Sequence, residues 1–218
     1  MKDIILFDLD GTLFDTSEGI TKCVQYALSF FGIEENNRAN LLRFIGPPLA
    51  EAFEEYYGFS CEKAVLAQEK FRERYSRIGV YECSPMAGAA ECLQALHAKE
   101  KILCVATCKP ENFACMILEK YSFSRYFTVI VGSEKDERRT HKNEVIETVF
   151  SRIGISNARG RSVMVGDRKH DILGAKQCGI ESVGIRVGFA NENELENAGA
   201  DYIVNDFRAL TKLLLGMH

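Results

Sequence analysis

The first apolar run of the chain, Ile4-Ile5-Leu6-Phe7, contains no polar residue and closes at Asp8. A run without alternation suits a strand covered on both faces, as in a parallel sheet held between layers of helices. Comparable runs recur at 102–106, 129–131, 162–165, 182–185 and 202–204. Between them the apolar positions take a helical spacing, over 89–98, 112–121, 143–153, 171–178 and 207–215. Strand and helix in alternation predict an α/β fold with a doubly wound parallel sheet. Right-handed crossovers then bring every strand's carboxyl end to one edge, where such sheets bind ligands.

One stretch departs from this alternation. From Thr16 to Cys83 the pattern is helical throughout. Ile20, Val24, Ala27, Leu28 and Phe31 form one apolar face, with Gly32 at the expected helix end. A second helix is predicted over 37–44 and a third over 49–57, stopped by Gly58. A fourth begins near Ser60 and buries Ala64, Ala67, Phe71, Tyr75 and Ile78. The expected organisation is therefore an α/β core of residues 1–15 and 84–218, interrupted by a four-helix cap of residues 16–83. Phe53, Tyr56, Tyr57 and Phe59 read as core of that insert.

Composition narrows the functional classes. With 27 Lys+Arg against 31 Asp+Glu, the formal charge is −4, so no basic surface favours nucleic acid. No apolar run reaches the length of a membrane span, and Asp3, Asp8 and Asp10 break up the only N-terminal apolar stretch. A cytoplasmic protein is expected. The eight cysteines form no CxxC pair and mostly sit in apolar patterns, as buried reduced thiols do. His97, His141, His170 and His218 have no ligand spacing and read as surface or helix-end residues.

Candidate chemistry lies where the strands end. In Asp8-Leu9-Asp10-Gly11-Thr12-Leu13, two carboxylates two residues apart leave a buried strand, and Gly11 lets the chain turn away. Acids beside such apolar surroundings need a cation or hydrogen bonds. In Val165-Gly166-Asp167-Arg168-Lys169-His170-Asp171 another acid follows a strand; Asp171, four residues on, also suits the first turn of a helix. Thr107 follows the 102–106 run, and its hydroxyl with the amides of the next helix offers a phosphate site or a simple N-cap. Lys142 stands at a predicted helix start, against the helix dipole, near Arg138, Arg139 and His141. Acids gathered on one sheet edge repel one another unless a hard cation lies among them, and Mg2+ with a phosphate oxygen fits such a set. Together these groups suit phosphoryl transfer. Asp8 would attack phosphorus, Asp10 would exchange protons, Thr107 would hold an oxygen, and Lys142 and Mg2+ would neutralise charge.

In that order DLDGTL (8–13), VATCKP (105–110), Lys142 and VGDRKHD (165–171) resemble the haloacid-dehalogenase superfamily, in particular its phosphatases with a helical cap after the first strand. The resemblance covers nearly the whole chain. It implies a Rossmann-like core, Asp8 as nucleophile and metal ligand, and Asp10 as acid/base that also ligates through its backbone carbonyl. It further implies Asp167 as a Mg2+ ligand, Thr107 and Lys142 as phosphate-binding residues, and Asp171 in a supporting role. Two departures stand out: His141-Lys142-Asn143-Glu144 replaces the more frequent Lys-Pro-x-Pro, and Cys108 follows the threonine where a small polar residue is usual.

The segment Arg43-Phe44-Ile45-Gly46-Pro47-Pro48-Leu49 is similar to that of phosphoglycolate phosphatase-like members. That branch includes pyrophosphatases and nucleotidases acting on nucleoside monophosphates. Arg43 is a candidate for a second anionic group on the substrate, or else a solvated helix-end residue. The expected partner is a small phosphorylated metabolite. A sugar-phosphate mutase shares all these motifs, and a non-catalytic binding module on the same fold is the alternative of a different class.

Overall fold

The computed structural model describes residues 2–134 and 139–217. The chain runs through β1 (Ile4–Phe7), a short β2 (Phe14–Asp15), α1 (Ser17–Phe30), a 3-10 helix (Arg38–Phe44), α2 (Leu49–Tyr57) and α3 (Cys61–Tyr75). It continues with a short β3 (Ser84–Pro85), α4 (Ala89–His97), β4 (Ile102–Pro110), α5 (Glu111–Lys120), β5 (Val129–Ser133) and α6 (Lys142–Ile153). The last elements are β6 (Ser162–Gly166), α7 (Lys169–Gln177), β7 (Glu181–Ile185), α8 (Glu194–Ala198), β8 (Tyr202–Val204) and α9 (Phe207–Gly216). Two compact units result: Met1–Phe14 with Pro85–His218, and Asp15–Ser84.

The first unit is built on a six-stranded sheet in the order β5-β4-β1-β6-β7-β8, with every pairing parallel. Counting only these six strands in chain order gives 3-2-1-4-5-6, the Rossmann-like doubly wound arrangement, whose order reverses beside the first strand. β1 is therefore central, paired to β4 on one side and β6 on the other, and all four of its residues are fully buried. Its pleat splits them between the two faces. Ile4 and Leu6 join Cys104, Ala106, Val131 and Met164 against Val145, Ile146 and Val149 of α6 and Ala175 of α7. Ile5 and Phe7 fill the opposite face. This explains why the strand shows no polar alternation.

The registers Phe7↔Val105 and Phe7↔Val165 bring the carboxyl ends of β4 and β6 level with that of β1. β4 runs past the expected end at residue 106. Its register shifts between Ala106 and Pro110, where Pro110 pairs with Ser133, and such an irregularity re-aims the side chains that follow. α8, five residues long, has no counterpart in the sequence reading, since one turn and a half carries too little periodicity to register.

In the second unit α1 packs on α3 and buries Ile20, Cys23, Val24, Ala27 and Leu28. Gly32 follows its end at φ +72°, and Gly58 ends α2 at φ +62°. Both are left-handed positions that a Cβ disfavours. Phe53 is fully buried, stacked 5.9 Å from Phe59 and tilted 5.0 Å from Phe44.

Two expectations for this unit are corrected. The 37–44 segment is a 3-10 helix rather than an α-helix. Asn37 accepts from the Ala39 N–H to start it, and Gly46-Pro47-Pro48 prevents a longer run. Ile78 is not on the buried face of α3. The helix ends at Tyr75, the chain tightens into turns, and Ile78 is 54% exposed.

No helix among the described residues is long and apolar enough to cross a membrane. Among the described residues none of the eight cysteines is in a disulfide, and Cys23, Cys92, Cys104 and Cys178 are buried. His97 and His141 are exposed and His170 is half-buried. Arg138 and His218 lie outside the described residues.

Candidate active site

β1 delivers Asp8 to the sheet edge, where its backbone N–H continues the ladder by donating to the Val165 carbonyl at 2.9 Å. β6 ends at Gly166 and delivers Asp167 to the same edge, and α7 then starts at once, placing Asp171 in its first turn. The carboxylates of Asp8, Asp167 and Asp171 are all buried, and an oxygen from each lies within 4.8 Å of the other two.

One cation of the chain enters this group. Lys142, the first residue of α6, is buried and donates through Nζ to Asp8 Oδ1, to Asp171 Oδ1 and to the Ala106 carbonyl, each at 2.8 Å. Burial works against its charge, but Asp171 and Asp8 overturn that and hold the ammonium above the ordinary lysine range. These partners account for a lysine where the helix dipole opposes one. α7 approaches closely enough to allow this only because Gly174 has no side chain: a Cβ there would stand 2.7 Å from Cβ and Cγ of Lys142.

Asp167 is held by two neutral donors. Its Oδ1 accepts from the Thr12 hydroxyl at 2.9 Å and its Oδ2 from the Phe189 N–H at 2.7 Å. Burial, then repulsion from Asp171 and Asp8, pushes its carboxyl up to about 8 in spite of both donors. Asp171 is likewise raised by burial and by Asp8, against the pull of Lys142. Its Oδ2 also accepts from the Arg168 N–H at 3.0 Å, so it caps α7 while its other oxygen orients Lys142.

Asp10 points elsewhere. Both its oxygens accept from Lys109 Nζ, at 2.9 Å each, and the lysine side chain is almost fully buried. Lys109 stands in the irregular part of β4, where its backbone N–H donates to Thr107 Oγ1 at 3.2 Å. Thr107 itself is buried, immediately after the Ala106 carbonyl that takes Lys142. Cys108 stays a neutral thiol, pushed up to about 12 by burial and by the nearby carboxylates against the pull of Lys142. Arg43 belongs to the second unit, and its guanidinium lies 4.4 Å from the Tyr56 ring centroid and 5.7 Å from that of Tyr57.

Asp8, Lys142, Asp167 and Asp171 thus meet within one cluster. Lys109, Thr12 and the Phe189 N–H also belong to the site, and sequence reasoning gave them no role. Thr12 and Lys109 stand inside motifs singled out for their neighbours. Phe189 acts through its backbone, which no side-chain pattern reveals.

The donor set fits a hard divalent cation. Among the described residues three buried carboxyl groups crowd around the one ammonium of Lys142, so ionising all three would leave an excess of negative charge away from water. The space around Asp167 is kept open by glycines: a Cβ on Gly11 or Gly188 would collide with its carboxylate, and one on Gly166 would collide with Asp171.

The family model for haloacid dehalogenase-like hydrolases matches residues 5–185. A 5'-nucleotidase of Pseudomonas aeruginosa is 43% identical over 210 residues, covering 96% of this chain and 94% of that protein. The tyrosine-protein kinase PtkA of Mycobacterium tuberculosis is 30% identical over 203 residues, covering 93% and 68%. Among solved structures, a predicted phosphatase from Clostridium acetobutylicum superposes with a TM-score of 0.95 at 39% identity, over 100% of both chains.

Proposed function

We propose that this chain, which belongs to the haloacid dehalogenase-like hydrolase family and is a phosphatase, hydrolyses small phosphomonoesters with Mg2+ through an aspartyl-phosphate on Asp8. The observation that carries this reading is the bridge made by Lys142 between Asp8 and Asp171. It leaves one Asp8 oxygen free of Lys142 and puts a fixed positive charge beside the acid that would receive a phosphoryl group.

Asp8 and Asp167 would hold the magnesium ion, with Asp10 contributing its backbone carbonyl. Bound there, the ion supplies charge neutralisation for the transferring group. The side chains account for the rest. An Asp8 oxygen forms a bond to phosphorus as the ester P–O bond breaks, and Asp10 gives its proton to the departing oxygen. Water then attacks the phosphorus and passes a proton to Asp10, the bond to Asp8 breaks, and inorganic phosphate leaves. Lys142 would stabilise the extra charge through both steps, and Thr107 would hold an equatorial oxygen.

For the substrate, the 43% identical relative named 5'-nucleotidase supports nucleoside 5'-monophosphates as the first class to test. Phosphoglycolate, suggested by the cap segment around Arg43, comes next, and pyrophosphate after it. The relative that carries a kinase name favours one second reading, transfer of the phosphoryl group to an acceptor other than water. A screen of these substrates with Mg2+ separates the readings: hydrolysis releases inorganic phosphate in step with the dephosphorylated product of an ester, or two phosphates from pyrophosphate, and transfer yields a new phosphoester instead. Phosphate release that is absent with every ester, or that survives in Asp8→Asn, refutes the reading.

A further inference from the structure

Beyond the acids themselves, one buried carboxylate ties the loop that carries Asp167 to a second loop of the same unit. Glu194 opens α8 and is buried. Its Oε1 accepts from Arg168 Nε at 2.9 Å and from the Lys169 N–H at 2.8 Å. Its Oε2 accepts from the Asn191 N–H at 3.0 Å and from Asn191 Nδ2 at 3.2 Å. One oxygen therefore holds the segment directly after Asp167, and the other holds the segment directly after Phe189. Burial opposes the charge, but the Arg168 guanidinium and the two backbone donors outweigh it and keep the carboxyl below its usual range.

These two segments meet at Asp167. Phe189 donates its N–H to Asp167 Oδ2, and Gly188 lies so close that a Cβ would strike both this oxygen and the Gly11 carbonyl. A small shift between the loops would therefore remove a donor from Asp167 or push backbone against it. Four hydrogen bonds to one buried carboxylate would be an elaborate way to start a helix of five residues. As a brace between two loops, each of those bonds has a use.

We infer that Glu194 is a positioning residue that sets Asp167 for cation binding by fixing the 186–193 loop against the 167–169 loop. The inference rests on the reading of Asp167 as a metal ligand. Partners that orient metal ligands typically account for about 10- to 100-fold in affinity, and Glu194 acts one step further out, through the backbone it holds.

The test is direct Mn2+ binding to the whole protein, read by the EPR signal of the free ion, for wild type, Glu194→Gln, Asp167→Asn and Ser182→Ala. Glu194→Gln keeps an oxygen for Arg168 and Lys169 but turns an NH2 toward the donors of Asn191. Ser182→Ala is the control for general weakening, since it removes the Ser182–Asp201 bond at 2.8 Å in the neighbouring strand and touches neither loop. The expected result is a Kd raised about 10-fold in Glu194→Gln, binding lost in Asp167→Asn, and an unchanged Kd in Ser182→Ala despite a lower Tm. Binding lost in Asp167→Asn but unchanged in Glu194→Gln overturns this inference alone, as does an equal loss in Ser182→Ala. Binding that is indifferent to Asp167→Asn overturns the metal reading beneath it.

Discussion

Lys109 Nζ stands 2.9 Å from both carboxylate oxygens of Asp10, so the group proposed to exchange protons with the leaving oxygen is held by a buried lysine two residues beyond Thr107. The pair fixes where the Asp10 carboxylate points. Lys109→Met should lower kcat/KM most for alkyl phosphates, whose leaving oxygen needs a proton, and less for p-nitrophenyl phosphate, whose leaving group departs as a stable anion. Lys109→Arg should restore part of the loss. A uniform loss across leaving groups would show that Lys109 serves only the fold of β4.

Asp8→Asn should abolish turnover while the protein remains folded. The substitution also removes one of three clustered negative charges. In the presence of a chelator at about pH 8, where about half of Asp167 is ionised, the variant should melt higher than wild type. Thermal unfolding beside a phosphate-release assay checks both halves.

The raised carboxyl of Asp167 gives a pH dependence of definite sign. Unfolded, the group ionises near its ordinary value of 3.8, and folded it does so near 8. Between those limits the folded chain holds a proton that the unfolded chain has released, so stability falls as pH rises through the window. In chelator, Tm should therefore decline from about pH 5 to about pH 8. Added Mg2+ should raise Tm more at the upper end, where the carboxylate needs to lose less of its proton to bind. Equal Mg2+ shifts at both ends would contradict this.

Gly188→Ala should disable the site without unfolding the core. Its added Cβ has no room beside Asp167 and the Gly11 carbonyl, so the carboxylate must move. We expect Mg2+-dependent activity to fall by at least about 10-fold, since even partners one shell out typically carry that much. Circular dichroism should remain that of the wild type.

Arg43 offers a test of substrate recognition. Under the proposal that Arg43 recognises a second anionic group, Arg43→Ala should raise KM for phosphoglycolate and leave KM for p-nitrophenyl phosphate unchanged. If both change together, the arginine matters through its packing on Tyr56 and Tyr57.

What could be read beforehand follows from where the determinants lie. Asp8 and Asp167 were legible because each ends an apolar run, and a charge in that position has few structural excuses. Lys142 was legible by its conflict with the helix dipole, although the two acids that resolve it could be seen only in three dimensions. Lys109 was hidden because it hangs on a register shift in β4, and a sequence does not display a bulge. Glu194 was hidden because two of its four donors are backbone N–H groups and two of the four come from a loop at least 25 residues earlier in the chain. Ile78 misled because it continues the helical spacing of α3 beyond the point where the chain actually turns.

The strand order carries a consequence for how the protein comes into being. Lys142 and Asp8 are 134 positions apart, and Thr12 and Asp167 are 155 apart. A growing polypeptide thus exposes Asp8 long before the groups that balance it exist, and contacts across such distances are slow to close. Cation capacity should arrive late and all at once during refolding, after the central strand has found neighbours on both sides. A fragment ending before β6 would keep Asp8 and Lys142 but lack both Asp167 and Asp171.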